Sequence, residues 1–534
     1  MGLFFNKPEH VDGSARPAIL IGAFVAFGGV LFGYDTGTIG GILAMKYWRQ
    51  LFSTGYINPT DDFPDVTAAQ TSEIVSILSA GTFFGALLSA PLADTIGRRF
   101  AMIFNSFVFT VGVILQTAAT AIPMFVAGRF FAGLGVGLLS ATIPLYQSET
   151  APKWIRGAIV GTYQWAITFG LLIAAIVLNA TKNRQDTGSY RIPVAVQFAF
   201  AIILVVGMII LPETPRYLIK RGKLDAAARS LARLRQLPVD HTAVAEELAE
   251  IVANHEYELA VGSASYLELF RNASIRKRLL TGVGLQALQQ LTGVNFIFYY
   301  GTSYFTRSGI SNPFVVSMIT NIVNVVSTVP GLILVEKWGR RPLLLTGAIG
   351  MSVCQLIVAS VGTALPDESS ANKALIAFVC FYIFFFASSW GPCAWVVTGE
   401  IFPLKARAKG LSITTSSNWL LNWAIAYSTP YLVNPGPGNA NLGSKVFFLW
   451  GGFCCICMAF VHFFIYETKG LSLEQVDELY GKVSKAWKSK GFVPTVHFTE
   501  LQALGGDEAR KRSLADLENV AQKKGSVVEH KDVV

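Results

Sequence analysis

The chain has 534 residues, 52% of them hydrophobic and only 14% charged, with a mean hydropathy of +0.47. Ordinary soluble domains carry about 25% charged residues, so a water-soluble enzyme built on a few compact cores is excluded. The net charge of +9 follows membrane topology rather than a basic face, which removes the argument for a nucleic-acid partner.

Apolar stretches of about 20 residues, long enough to cross a bilayer as helices, recur from end to end. Twelve are read in chain order: 17–44, 70–93, 101–119, 122–148, 156–179 and 191–211, then 276–303, 312–335, 342–364, 373–398, 407–433 and 445–466. The expected fold is an all-α membrane protein of twelve transmembrane helices in two six-helix bundles. Residues 1–16 form a cytoplasmic N-tail, 17–211 the first bundle, 212–275 a cytoplasmic linker, 276–466 the second bundle, and 467–534 a largely disordered C-tail. The linker is patterned for short amphipathic helices through Ala226, Leu231 and Leu234, then Val244, Leu248 and Ile251. With both termini inside, most of the 43 Lys and Arg fall on the inner side, as the positive-inside rule requires. The first apolar run is too long and lacks the flanks of a cleavable signal. All six cysteines fall in spans of the second half, where packing rather than disulfide formation is their expected role.

The spans are also related to one another. Asp94-Thr95-Ile96-Gly97-Arg98-Arg99 returns as Glu336-Lys337-Trp338-Gly339-Arg340-Arg341, and Glu149 with Arg156 returns as Glu400 with Arg407. A duplicated membrane unit is the usual build of transporters. The repeated carboxylates and guanidiniums are expected to form a cytoplasmic gate, with pairs across the two halves favouring one closure state; ordinary inner-face charges are the alternative.

Asp35 and Arg129 are the two charges set inside apolar spans. A charge in hydrocarbon costs at least about 2.5–3.5 kcal/mol, so each needs a partner. At 1.5 Å per residue they lie about 13 Å and about 10 Å below the outer ends of spans one and four, depths at which they can pair. Pairing favours ionised Asp35 and release favours its protonation, which makes the pair either a proton switch or a fixed structural link.

In span seven, Gln286 lies one turn from Gln289 and Gln290, so three amides gather towards one face. Asn295 lies about 500° of helical rotation beyond Gln290 and joins that face only if the helix breaks at Gly293. Gln164, Asn324, Trp395, Asn418 and Asn422 are further insertions in spans five, eight, ten and eleven. Uncharged amides with an indole suit a neutral polyhydroxylated ligand, while interhelical glue is the alternative. Phe386 and Trp390 add aromatic surface to span ten. No nucleophile, metal cluster or phosphate loop stands in a plausible context, so neither enzyme activity nor a cofactor is expected.

Gly33-Tyr34-Asp35-Thr36-Gly37, the two Gly-Arg-Arg motifs, Pro212-Glu213-Thr214-Pro215-Arg216, Gln289-Gln290-Leu291-Thr292-Gly293-Val294-Asn295 and Glu467-Thr468-Lys469-Gly470 together resemble the signatures of the sugar porters of the major facilitator superfamily. Over about residues 17–480 the chain is most similar to fungal glucose and proton symporters. The resemblance implies two bundles rocking about a central site in the plasma membrane, with glucose or a related monosaccharide and a proton as cargo. It places sugar contacts at Gln164, Gln286, Gln289, Gln290, Asn295, Asn324, Trp395 and Asn418, and makes Asp35 the proton acceptor with Arg129 its partner. It also leaves open a facilitative hexose uniporter and a transporter-like glucose sensor, the latter normally carrying a longer tail. Trp390 stands where several relatives have proline.

Overall fold

A computed structural model of the protein describes residues 16–493, apart from residues 60, 153, 154, 263, 308, 309, 311, 366–368, 437 and 472. The first half is built from α1 (Arg16–Ala44), α2 (Lys46–Phe52), α3 (Ala68–Ile96), α4 (Arg98–Ala118), α5 (Ile122–Thr150), α6 (Arg156–Thr181) and α7 (Gly188–Ile210). Between α2 and α3 a two-stranded hairpin, β1 (Tyr56–Asn58) and β2 (Phe63–Asp65), pairs Tyr56 with Asp65. It is tied to α2 by the buried Arg49, which reaches Asp61 at 2.7 Å and Asp65 at 3.0 Å. Helix α3 then starts on a capping box, with Thr67 Oγ1 accepting from Gln70 N–H and Gln70 Oε1 accepting from Thr67 N–H.

The linker forms α8 (Pro215–Lys220), α9 (Leu224–Arg235), α10 (Thr242–Val261) and α11 (Tyr266–Arg271). The second half contains α12 (Ala273–Leu291), α13 (Val294–Arg307), α14 (Pro313–Lys337), α15 (Arg340–Ala364), α16 (Ser369–Phe385), α17 (Gly391–Glu400), α18 (Arg407–Val433) and α19 (Val446–Phe464). Helices α16 and α17 are one membrane segment joined by a π-helical turn at Phe386–Trp390. The halves pack along three seams, α3 on α18, α6 on α14, and α1 on α13.

Among the described residues, ten helices are long and apolar enough to cross a membrane. The remaining two of the twelve segments fall short because α12–α13 is split at Gly293 and opens on Arg276, Lys277 and Arg278, and because α18 is rich in serine, threonine and asparagine. Span seven, read as continuous from 276 to 303, is two helices that meet at Gly293. That residue has φ +85°, and a Cβ there would lie 2.6 Å from the Trp450 ring. The carbonyl of Thr292, freed by the break, accepts from Gln355 Nε2 at 2.7 Å and Tyr382 OH at 3.0 Å. A polar group freed in hydrocarbon is thus satisfied from within the bundle.

Within the 467–534 tail, read as largely disordered, the first part folds as α20 (Leu473–Lys482) and a short 3₁₀ turn at Ala486–Gly491. Leu479 is buried, and Tyr480 packs on Tyr466 with ring centroids 4.4 Å apart. Charge density hid an amphipathic helix that one apolar contact line is enough to dock. Residues 494–534 and 1–15 lie outside the described residues.

Gly293→Ala meets both a left-handed backbone and the indole of Trp450. We expect it to cost about 1–3 kcal/mol and to lower the melting temperature of the detergent-purified protein by several degrees. An unchanged melting curve would show that the break does not depend on this glycine.

Candidate functional site

The amides converge because the break at Gly293 turns α13 back towards α12. Asn295 Nδ2 donates to Gln290 Oε1, as does Asn422 Nδ2 from α18 at 3.1 Å. Asn418 Nδ2 donates to Gln286 Oε1 at 2.7 Å and Gln289 Oε1 at 2.9 Å. Gln289 Nε2 in turn donates to the carbonyls of Trp390 and Gly391 at 2.8 and 3.2 Å, which the wide π-helical turn leaves open. Gln286 Nε2 reaches Thr398 Oγ1 at 3.2 Å. All five of Gln286, Gln289, Gln290, Asn418 and Asn422 are buried.

Trp395, one turn before Thr398 on α17, keeps 36% of its surface exposed. Trp390 is fully buried, its Nε1 donating to Leu344 O at 2.9 Å, so it braces α17 against α15. Gln164 and Asn324 stand on the α6–α14 seam, next to the bond from Trp165 Nε1 to Val325 O at 3.2 Å. Neither of these two side chains has a hydrogen-bond partner among the described residues, so both amides are unsatisfied by protein.

Asn422 was read from the sequence as a polar insertion though not among the sugar contacts the resemblance implies, while Ser79, Tyr299 and Gln197 were missed. Asn422 Oδ1 accepts from Ser79 Oγ of α3 at 2.6 Å and from Tyr299 OH at 3.1 Å. The network therefore ends on the opposite half. A serine in α3 offers no sequence signal; Asn422, one turn after Asn418, does.

Asp35 and Arg129 are fully buried, with Arg129 Nη1 3.6 Å from Asp35 Oδ1. That is an ion pair without a hydrogen bond. Both carboxylate oxygens of Asp35 and Nη2 of Arg129 lack hydrogen-bond partners, while Arg129 Nε donates to Ile74 O at 3.2 Å. Gln197 of α7 lies beside Asp35, with both amide atoms also unsatisfied. Tyr299 and Tyr300 of α13 face Arg129 from the other half.

The repeated charges at the linker-bearing end of the bundles close within each half. Arg98 Nη2 meets Glu149 Oε1 at 3.0 Å and Nη1 meets Asp94 Oδ1 at 3.1 Å; Arg340 Nη2 meets Glu400 at 2.7 Å and Glu336 at 3.2 Å. Thr214 Oγ1 donates to Glu149 at 2.5 Å, and Thr468 Oγ1 to Glu400 at 2.7 Å. Glu213 accepts from the N–H groups of Arg98 and Arg99, as Glu467 does from Arg340 and Arg341. Gly97 (φ +94°) and Gly339 (φ +103°) supply the left-handed turn that aims those N–H groups. Burial pushes the Glu213 carboxyl above its ordinary range, against the lowering pull of those donors and of Thr214 N–H.

The pairing across the halves anticipated from the sequence is not what these contacts form. Arg98 and Arg340 each reach the carboxylate of a neighbouring helix in their own bundle. Arg99 and Arg341 repeat the pattern by donating to backbone carbonyls, Met208 O and His462 O, at the ends of α7 and α19. Arg156 sits at the start of α6 among Glu149, Glu247, Arg216 and Arg235, and Arg407 opens α18.

Twelve membrane segments in two halves, with a polar cluster between them and no grouping of metal ligands among the described residues, define a membrane transporter. The chain belongs to the family described as "Sugar (and other) transporter", which matches residues 21–480. It is 63% identical over 506 residues to the major facilitator-type transporter ecdD of Aspergillus rugulosus, covering 92% of this chain and 93% of that one. It is 53% identical to the probable glucose transporter rco-3 of Neurospora crassa, covering 94% and 85%. The high glucose sensor RGT2 of Saccharomyces cerevisiae is 42% identical over 89% of this chain but only 62% of its own length. Among solved structures, the proton:xylose symporter XylE bound to 6-bromo-6-deoxy-D-glucose superposes with a TM-score of 0.72 at 26% identity, over 88% of this chain and 100% of that one. The protein is a multi-pass sugar transporter of the major facilitator superfamily, not an enzyme.

If each clamp acts inside its own half, Glu149→Gln and Glu400→Gln destabilise independently. Glu149→Gln leaves the buried Arg98 with only the half-exposed Asp94 as counter-charge and should cost about 1–3 kcal/mol. The double variant should equal the sum of the singles within about 0.5 kcal/mol, read as melting shifts in detergent. A larger coupling energy would restore a latch across the halves.

Proposed function

We propose that this transporter imports glucose and related monosaccharides together with protons across the plasma membrane by alternating access. The observation that carries the reading is the Asp35–Arg129 pair: completely buried, 3.6 Å apart and without a hydrogen bond on the carboxylate. An ion pair kept only as a structural link gains from close, hydrogen-bonded geometry; this one is held in the arrangement from which a proton most readily displaces the arginine. Gln197 can donate to ionised Asp35 and accept from protonated Asp35, because an amide carries both functions. The proton:xylose cargo of the XylE neighbour supports the same assignment, and the glucose named for the fungal relative supports the substrate.

Sugar hydroxyls are bound by Gln286, Gln289, Gln290, Asn295 and Asn418, with the unsatisfied amides of Gln164 and Asn324 facing them across the seam and Trp395 offering an indole to the pyranose face. Protonated Asp35 releases Arg129, sugar enters from outside, the halves rock, and loss of the proton inside restores the pair. One proton moved through 100 mV supplies about 2.3 kcal/mol, and one pH unit about 1.4 kcal/mol more. Coupled import can therefore concentrate sugar, whereas a uniporter only equalises it.

Uptake of labelled glucose in cells lacking other hexose transporters, with and without a protonophore, tests the reading. Wild type should accumulate glucose above the external level and lose that excess with the protonophore. Asp35→Asn keeps shape but cannot ionise, so accumulation and sugar-induced external alkalinisation should vanish while sugar exchange persists. Accumulation by correctly inserted Asp35→Asn protein refutes proton coupling through this residue.

Gln290→Ala removes the acceptor shared by Asn295 and Asn422. Losing a neutral hydrogen bond costs about 0.5–1.5 kcal/mol, and more where buried partners are orphaned. Sugar affinity should fall about tenfold. An unchanged Kd in folded protein would exclude Gln290 from the sugar site.

A further inference from the structure

At the membrane end that carries the linker, a cavity of about 660 Å³ opens between the start of α1, the end of α7 and α9. Its walls are apolar at Ile21, Leu211 and Val239, and its rim carries Arg229 and Arg233. These arginines lie four residues apart on one helix, where like charges are neighbours and repel. Arg233 spends one nitrogen on Ile210 O at 3.0 Å, capping a carbonyl left open where α7 ends. Arg229 is exposed and makes no ion pair or hydrogen bond with any described residue, Asp225 one turn earlier included. Two adjacent guanidiniums without a carboxylate between them constitute an anion site whose anion no described residue supplies.

The surroundings identify the source of that anion. Leu20, Ile209 and Ile210, next in sequence to the lining residues Ile21 and Leu211, are 70%, 56% and 62% exposed, so exposed apolar surface of α1 and α7 adjoins the cavity. A ligand that lies here meets positive charge at the interface and apolar side chains beneath it. In the second half α20 docks instead, with Tyr480 lying over Arg278 at 4.5 Å and Asp477 pairing with that arginine. There the tail supplies both the carboxylate and the cover, and the first half has no such segment among the described residues.

We propose that this groove holds the headgroup of an anionic glycerophospholipid, with its phosphate between Arg229 and Arg233 and its acyl chains along Ile21, Ile209 and Ile210. On the reading that both termini face inside, the lipid comes from the inner leaflet, whose anionic lipids are drawn to basic juxtamembrane residues. The occupant is a lipid and not a soluble anion because the apolar walls and the arginine rim form one continuous surface.

Native mass spectrometry of the full chain in detergent, titrated with phosphatidylserine or phosphatidylcholine, tests this without reference to transport. Wild type should retain phosphatidylserine in preference to phosphatidylcholine, and added salt should erode the preference. Arg229→Gln touches no described protein group and should weaken phosphatidylserine binding about fivefold, the effect of one basic residue at a membrane surface. Arg229→Lys should retain it. Equal retention of both lipids by wild type overturns the proposal, and so does undiminished phosphatidylserine binding by an Arg229→Gln protein with the wild-type melting temperature.

Discussion

A polar side chain in hydrocarbon must find its hydrogen bonds inside the protein, and the architecture of this transporter follows from how that requirement is met. Gln290 Oε1 accepts hydrogen bonds from both Asn295 and Asn422, and Asn418 spans Gln286 and Gln289. These bonds fix α12, α13 and α18 around one point. The break at Gly293 obeys the same rule, since Gln355 and Tyr382 take up the carbonyl it exposes. Asp35 departs from it. Its carboxylate has a counter-charge but no hydrogen bond, and an under-satisfied group is one whose protonation state responds to small changes in its surroundings.

On the proposed reading, the clamps at the linker-bearing end give each half the stiffness that a rocking motion needs. Arg98, Glu149, Thr214 and Glu213 join the α3–α4 turn, α5 and the start of the linker; Arg340, Glu400, Thr468 and Glu467 do the same for the α14–α15 turn, α17 and the tail. Because no described pair among them crosses between halves, they resist distortion of a bundle without opposing its rotation. Motion is left to the three seams, and the polar bonds that cross those seams are few: Ser79 to Asn422 and Trp165 to Val325 among them.

Much of this was legible because membrane segments advertise themselves by composition. The twelve spans, the buried charge pair and the amide stripe of span seven all follow from the cost of polarity in an apolar medium, which acts on individual residues and so leaves a trace in the sequence. The break at Gly293 was foreseen only as a condition for Asn295 to join the stripe, and the structure meets that condition. Direction of pairing was not legible. Arg98 and Arg340 have equivalent neighbours in both halves, and only the packing of α5 and α17 decides that each reaches the carboxylate of its own bundle. Glu213 and Glu467 read as family signatures rather than as caps on the Gly-Arg-Arg turns, because the distance between cap and turn is set by the fold. The role of Asn422 was hidden for the same reason: its decisive partners, Ser79 and Tyr299, come from other helices.

The self-satisfied state of the amide network bears on how a sugar is recognised. On the proposed reading, a hydroxyl that enters must exchange one internal bond for another, and such exchanges are worth little net free energy. Affinity then stays modest, while discrimination is sharp, because a ligand that opens the network without replacing its bonds leaves buried amides unpaired. Asn422 makes this exchange mechanically consequential. Its Oδ1 holds both Ser79 of the opposite half and Tyr299 of α13, and its Nδ2 holds Gln290. A sugar that competes for Gln290 loosens Asn422, and loosening Asn422 releases a bond between the halves. Tyr299, which loses the same acceptor, is also one of the side chains facing Arg129. On the proposed reading, sugar occupancy, closure of the halves and the environment of the Asp35–Arg129 pair share a single amide, and that shared connection would let binding at one site alter the proton affinity of the other.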